Sequence, residues 1–413
     1  MSILRNVTLL DPASEFHQQR VTARLLDGRL LDAAPTLETF GDEPTTDATG
    51  RYLARGFIDV GTTIGDPGYE HREDLESAAA AARRGGYAAL LPFPNTRPAV
   101  DNKAAVRYLR RAAADLSVTI YPIGALTDGT RGTDLTEMMD LHHAGAVAFS
   151  DGHRPVQDDG LMLRCLQYVR AFGGIVLNRP HRDALAFGGQ MHEGEISTML
   201  GVKGIPALAE EMLLHRDLEL LRYTDSRLHL HNVSTAKGVA MIRAAKRDGL
   251  NVTASVAALN LLFTDHDLLG FETNLKVLPP LRPAEHVAAL REGLRDGTLD
   301  VVTSNHVPWE DEHKDLEFLH ADFGATGLET AFSTALAALH DTLELADLVA
   351  KFNRGPALAF GLEPPDQWVL IDPRAHWTYA HTESKGRNSP FLGKTLVGTV
   401  DFVHGANFSP PVR

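Results

Sequence analysis

The sequence predicts an α/β fold, a (β/α)8 TIM-like barrel with a small β-sandwich built from both termini. Three observations carry this. From Gly56 to about His340, short apolar β-branched runs alternate with Ala/Leu/Arg stretches of helical period, the pattern of repeated βα units on a parallel sheet. The run supplies eight candidate strands in a span close to the roughly 250 residues typical of a closed barrel. The first of them is followed by Gly61-Thr62-Thr63-Ile64-Gly65-Asp66, which is not the G-x-G-x-x-G of an open dinucleotide-binding sheet.

In chain order the predicted strands are Gly56–Val60, Tyr87–Phe93, Ser117–Ile123, Ala146–Ser150, Ile175–Asn178, Arg227–Asn232, Asn251–Val256 and Asp300–Ser304. Helical patterns separate them at Glu73–Arg84, Asn102–Ala114, Leu161–Phe172, Pro206–Tyr223, Ala236–Asp248 and Pro283–Leu294. Gly85-Gly86, Gly173-Gly174 and Gly249 stand where these helices need stops. Residues 1–55 read as short strands (Ile3–Leu10, Val21–Leu26, Arg29–Ala33), and more follow at Trp368–Ile371, Trp377–His381 and Thr395–Val403. Neither flank has apolar residues enough for its own core, so residues 1–55 and 360–413 are expected to pair into one sandwich beside a barrel of residues 56–359.

Composition narrows the function. The chain has 413 residues and a net charge of −14, from 54 acidic and 40 basic residues, so no basic footprint for nucleic acid or anionic lipid exists at whole-chain level. One Cys excludes a disulfide framework or thiolate cluster and fits a reducing compartment. The first residues lack a signal-peptide pattern and no apolar run reaches the ~18 residues of a membrane span, so a cytoplasmic protein is expected. The 19 His residues suggest a metal enzyme, because imidazole is the commonest metal ligand.

The strand ends test that suggestion, since barrel chemistry sits at the C-terminal ends of the strands. Strand 1 ends in Asp59-Val60-Gly61-Thr62-Thr63, strand 4 in Ser150-Asp151-Gly152-His153, strand 5 in Asn178-Arg179, strand 6 in His231-Asn232 and strand 8 in Ser304-Asn305-His306. A hydrolytic metal centre needs several imidazoles and carboxylates converging on the ion. Gly, Thr and Asn dominate instead, and Asn is neither an anionic ligand nor a general base near neutral pH.

Nine segments together resemble the cyclic amidohydrolases, most closely dihydroorotases of the bacterial long type. They are RGFIDV at 55–60, DPG at 66–68, PFPNT at 92–96, AFSD at 148–151, EGEIST at 193–198, VST at 233–235, KVLPPLR at 276–282, FGATGLET at 323–330 and RNSPFLG at 387–393. The resemblance covers nearly the whole chain. It implies pyrimidine biosynthesis and a binuclear zinc site, yet the family's ligand positions fall on other residues. The His-x-His pair falls on Gly61 and Thr63, the strand 5 His on Arg179, the strand 6 His on Asn232 and the strand 8 acid, a general base, on Asn305. The strand 4 bridging residue falls on Asp151 or Gly152. Of the substrate-binding positions, the Arg falls on Gly65, one Asn on Leu278 and a further His on Trp309; Asn95 alone is retained.

With these substitutions no catalytic residue and no bound metal is expected. The resemblance then implies a non-catalytic homologue, a pseudoenzyme that serves as structural or regulatory partner of aspartate transcarbamoylase in a hetero-oligomer. The alternative is an active dihydroorotase or related cyclic amidohydrolase with a rebuilt zinc site, drawing on Asp151, His153, His181 and His306 at the mouth. A third reading is a sensor that holds a ureide-like ligand through Asn95. His229 and His231 alternate with Leu228 and Leu230 and are read as packed core histidines, and Cys165 as a buried small hydrophobe. Arg179 is expected to fill the vacated pocket and pair with Asp151.

Overall fold

The computed structural model describes residues 1–38 and 43–403. The strands are β1 (Ser2–Leu10), β2 (Arg20–Leu26), β3 (Arg29–Ala34), β4 (Thr45–Asp47), β5 (Tyr52–Arg55), β6 (Phe57–Thr62), β7 (Tyr87–Pro92), β8 (Thr119–Ile120), β9 (Ile123–Gly124), β10 (Ala148–Phe149) and β11 (Val176–Asn178). They continue with β12 (Met191–His192), β13 (Gly204–Ile205), β14 (Leu228–Leu230), β15 (Val252–Ala257), β16 (Val301–Thr303), β17 (Trp368–Thr378) and β18 (Thr395–Phe402).

The barrel is the parallel series β6, β7, β8/β9, β10, β11, β14, β15 and β16. Its strands are buried on both faces, as helix-covered parallel strands must be; Tyr87–Pro92 is buried at every residue. The third strand, expected as one run, is split at Tyr121-Pro122, because proline has no N–H to give the ladder. Its first half pairs with β7 and its second with β10. Between strands 8 and 1 a side chain closes the seam: the Asp59 carboxylate accepts from Ser304 N at 2.8 Å and Ser304 Oγ at 2.7 Å. Thr63 N adds a bond to the His306 carbonyl at 3.0 Å.

The predicted helices form. Leu75–Arg84 starts on a capping box in which Asp74 and Ser77 satisfy each other's backbone N–H, and it ends with Arg83 and Arg84 against the negative end of the helix dipole. Helix Asp159–Arg170 turns Leu161, Met162, Cys165, Leu166 and Val169 inward. Burial pushes the Cys165 thiol up to about 12, which suits an inert core residue.

The termini join in a single mixed sheet of seven strands, ordered β18-β17-β5-β1-β2-β3 with β4 also on β1. Both flanks contribute to its core: Leu4, Val7, Leu9 and Leu53 come from one, and Trp368, Leu370 and Val403 from the other. The strands expected separately at Trp368–Ile371 and Trp377–His381 are one strand, β17, with a register shift between Asp372 and His376. The last part of the predicted C-terminal flank, residues 404–413, lies outside the described residues.

Candidate functional site at the barrel mouth

Strand 1 delivers Gly61 and Thr63 to the mouth, the two positions of the family's first imidazole pair. Gly61 has φ +78°, in the left-handed region, and an added Cβ there would stand 2.6 Å from His231 Nε2 and 2.8 Å from the Phe93 ring. The His231 ring from strand 6 thus fills the space a side chain at 61 would need. Gly65 is closed in another way, since a Cβ would meet the Tyr69 carbonyl oxygen at 2.1 Å. Thr63 Oγ1 lies 2.8 Å from His153 Nε2, and the Phe93 ring sits edge-on between His153 and His231, 5.2 and 5.1 Å away.

Asn232 and Asn305 come together at the ends of strands 6 and 8. Both have positive φ, 53° and 48°, which Asn tolerates better than most residues. Asn232 Nδ2 donates to Asn305 Oδ1 at 3.0 Å, Thr303 Oγ1 donates to Asn232 Oδ1 at 2.6 Å, and Asn305 Nδ2 donates to the Leu278 carbonyl at 3.2 Å. Two positions where the resemblance expects metal ligands thus form a neutral clasp between strands 6 and 8.

The expected Arg179–Asp151 pair does not form. The Asp151 carboxylate accepts from Leu126 N and Thr127 N, each at 2.9 Å, and from the Thr127 hydroxyl. Burial pushes its carboxyl up to about 6 against these bonds. Arg179 instead donates from Nη2 to the His153 carbonyl at 2.7 Å, and its buried Nε has no protein partner.

His306 is also not free. It meets Glu73 Oε2 through Nε2 at 3.1 Å and accepts from Gly327 N at 3.2 Å, while Glu73 takes the hydroxyls of Ser77 and Ser384. Glu73 therefore ties the loop after strand 1 to strand 8 and to the C-terminal segment. No sequence signal singled it out.

His229 and His231 are fully buried, as their alternation with Leu228 and Leu230 suggested. They reach Thr253 Oγ1 at 2.8 Å and Ser255 Oγ at 3.2 Å through Nδ1, and both Nε2 atoms lack a protein partner. Burial, then neighbouring Arg179, holds His153 and His181 at about 3; burial, then His229 and Arg179, holds His231 well below the usual imidazole range. At neutral pH all three are uncharged. Asn95 donates to the Asp151 carbonyl at 3.0 Å and Thr130 Oγ1 at 3.3 Å, and accepts from His153 N at 3.0 Å, so its amide holds the strand 4 turn. Leu278 packs against the cluster of Ala186, Ile205 and Ala209, and Trp309 carries the Arg72 guanidinium 4.1 Å over its ring.

These residues do not fit a binuclear metal centre in the inherited place. A guanidinium, two neutral amides and a glycine under an imidazole stand at the positions where the resemblance expects ligands, and Asp151 already accepts three hydrogen bonds. Among the described residues no three His, Cys, Asp or Glu side chains are placed to share an ion.

The Dihydro-orotase-like family model matches residues 50–238. A dihydroorotase of Pelotomaculum thermopropionicum is 42% identical over 96% of this chain and 95% of its own length. The chain belongs to the dihydroorotase family. A second dihydroorotase, from an Anaeromyxobacter strain, is 41% identical over 94% of this chain and 93% of its own. Solved structures agree on the fold: an L-hydantoinase of Arthrobacter aurescens superposes with a TM-score of 0.84 at 23% identity, covering 97% of this chain and 94% of its own. A dihydropyrimidinase of Brevibacillus agri gives 0.80 at 20%, covering 98% and 96%.

The expectation of a non-catalytic pseudoenzyme partner is overturned by these relatives, which are full-length, near 40% identical and named as the enzyme. Missing inherited ligands bear on one way of activating water and do not by themselves make a family member inactive.

Proposed function

We propose that the chain is a dihydroorotase, a cyclic amidohydrolase that opens the ring amide of dihydroorotate to carbamoyl aspartate. The observation that carries this is the 42% identity to a dihydroorotase along almost the whole chain, barrel and terminal sheet together. The ligand belongs at the C-terminal mouth, where Thr63, His153, Arg179 and His231 converge. The residues there do not fit the inherited metal pair. The mouth supplies positioning by the Asn232–Asn305 clasp and one fixed cation, Arg179.

The test is hydrolysis of dihydroorotate, and the reverse ring closure, by the purified chain as isolated, after chelation and with added zinc. Turnover in any of these supports the reading, and its absence in all three sinks it. A cytoplasmic location goes with this reading; no helix among the described residues is long and apolar enough to cross a membrane. The expected assembly with aspartate transcarbamoylase rests on the resemblance alone, and failure to co-purify at micromolar concentration removes it.

A further inference from the structure

We propose that the barrel mouth holds a carboxylate-binding site centred on Arg179, a side-chain cation at a position where the resemblance expects a metal-ligating His. This rests on the barrel mouth being the ligand site. Three observations support it.

Arg179 is the first residue beyond β11, partly exposed at the mouth, and its Nε is shut off from solvent without a protein partner. One guanidinium N–H is spent on the His153 carbonyl. A buried donor of this kind destabilises the fold unless something occupies it. Among the described residues no carboxylate forms an ion pair with it; Asp183 influences it without pairing.

The surroundings are built for one negative charge. The three imidazoles nearest in the electrostatic sense, His153, His181 and His231, are all uncharged, and His231 Nε2 also waits for a partner. Asn232 and Asn305 are neutral and bonded to each other. A planar fork of N–H donors beside uncharged imidazoles and amides matches a planar, singly charged, two-oxygen acceptor. Phosphate, carrying close to two charges, suits a second cation; of the two other guanidiniums that act on these imidazoles, Arg282 is spent on Glu210 and Ser234 and Arg154 is exposed to solvent.

The family's own carboxylate-gripping position is meanwhile closed, because Gly65 has no room for any side chain. The cation lost there is regained on strand 5.

The experiment compares L-dihydroorotate with 5,6-dihydrouracil, the same ring without the carboxylate, by calorimetry and by thermal shift on the full chain. Inorganic phosphate is the third probe. Wild type should bind dihydroorotate, bind dihydrouracil about 10- to 100-fold more weakly, and gain no stability from phosphate. Arg179→Met should lose that preference, with Arg179→Lys in between, and Arg179→Met without ligand should melt no lower than wild type, since it removes an uncompensated charge. Equal binding of the two rings overturns the inference, as do equal stabilisation by phosphate, unchanged dihydroorotate affinity in Arg179→Met, or one equivalent of zinc per wild-type chain that is lost in Arg179→Met. Arg179-dependent binding without turnover supports this site while removing the hydrolysis reading; turnover with Arg179-independent binding does the reverse.

Discussion

On the strand 1 and strand 8 side of the mouth, buried carboxylates reach donors. Asp59 takes Ser304 and Thr62, and Glu73 takes His306, Ser77 and Ser384. On the strand 5 and strand 6 side, Arg179 Nε, His229 Nε2 and His231 Nε2 have no protein partner. Asp59, Glu73, His229 and His231 are all fully buried, so burial is not the difference between them. Satisfied networks lock geometry, whereas an unsatisfied buried polar atom needs a reason to stay so. The Asp59 and Glu73 networks are scaffold, although Arg72 Nε and Glu310 Oε2 near them in the chain also lack hydrogen-bond partners, and the Arg179 side is where a ligand is expected.

Breaking the scaffold side should have the largest effect. Glu73→Ala strips His306, Ser77 and Ser384 of their shared acceptor and unties the C-terminal segment. Removing one member of a buried, paired network costs about 3–5 kcal/mol, to be read as a lower urea midpoint. A loss below about 1 kcal/mol would mean the network does not hold the mouth.

The next effect tests whether the mouth has room for the family's side chains. Gly61→His places a Cβ against His231 at a φ of +78°, and overpacking plus left-handed strain should cost about 2–4 kcal/mol. Adding His231→Ala should recover part of that loss, since the two rings compete for one space. Simple additivity of the two variants would show that they do not touch.

These two sites also show what a sequence reveals. Barrel strands and helices were legible because period and turn residues are local; the β17 register shift, the break at Pro122 and strand ends displaced by one to three residues adjust them. The strand-end residues were correctly placed at the mouth. Their bonding was not legible: Glu73 meets its partners 233 and 311 residues away, and Asp151 chose backbone N–H groups over Arg179. Substituted ligand positions showed what the mouth lacks; Arg179's missing partner, the positive signal, needed coordinates. The reading of inactivity failed because it was drawn from the absences.

A smaller effect belongs to the clasp that joins the two sides. Asn305→Ala removes the acceptor of Asn232 Nδ2 and the donor to the Leu278 carbonyl, and puts Ala at a φ of 48°. A loss of about 2 kcal/mol is expected. Asn305→Asp keeps the acceptor for Asn232 but turns a carboxylate oxygen toward the Leu278 carbonyl and should lose at least as much; a clearly smaller loss would mean that the Leu278 bond contributes little.

The smallest effect is conditional on pH and probes the unsatisfied side directly. His229 is fully buried, stacked 5.0 Å from Phe360, with Nε2 unpartnered. Burial, with a smaller push from Lys246, holds it down at about 3. In the unfolded chain an imidazole titrates near 6.5, so below that pH the unfolded state takes up a proton that the folded state refuses. The stability tied to His229 is therefore complete above about pH 6.5 and lost as pH falls from there towards 3. His229→Leu keeps an apolar body in the slot and deletes this one proton. Measured by urea unfolding at pH 7.5 and 5.5, the variant should gain about 1 kcal/mol relative to wild type on going to the lower pH. An identical difference at both pH values would mean that the ring is already charged or solvated in the folded protein, and the contrast between the two sides of the mouth would lose its electrostatic basis.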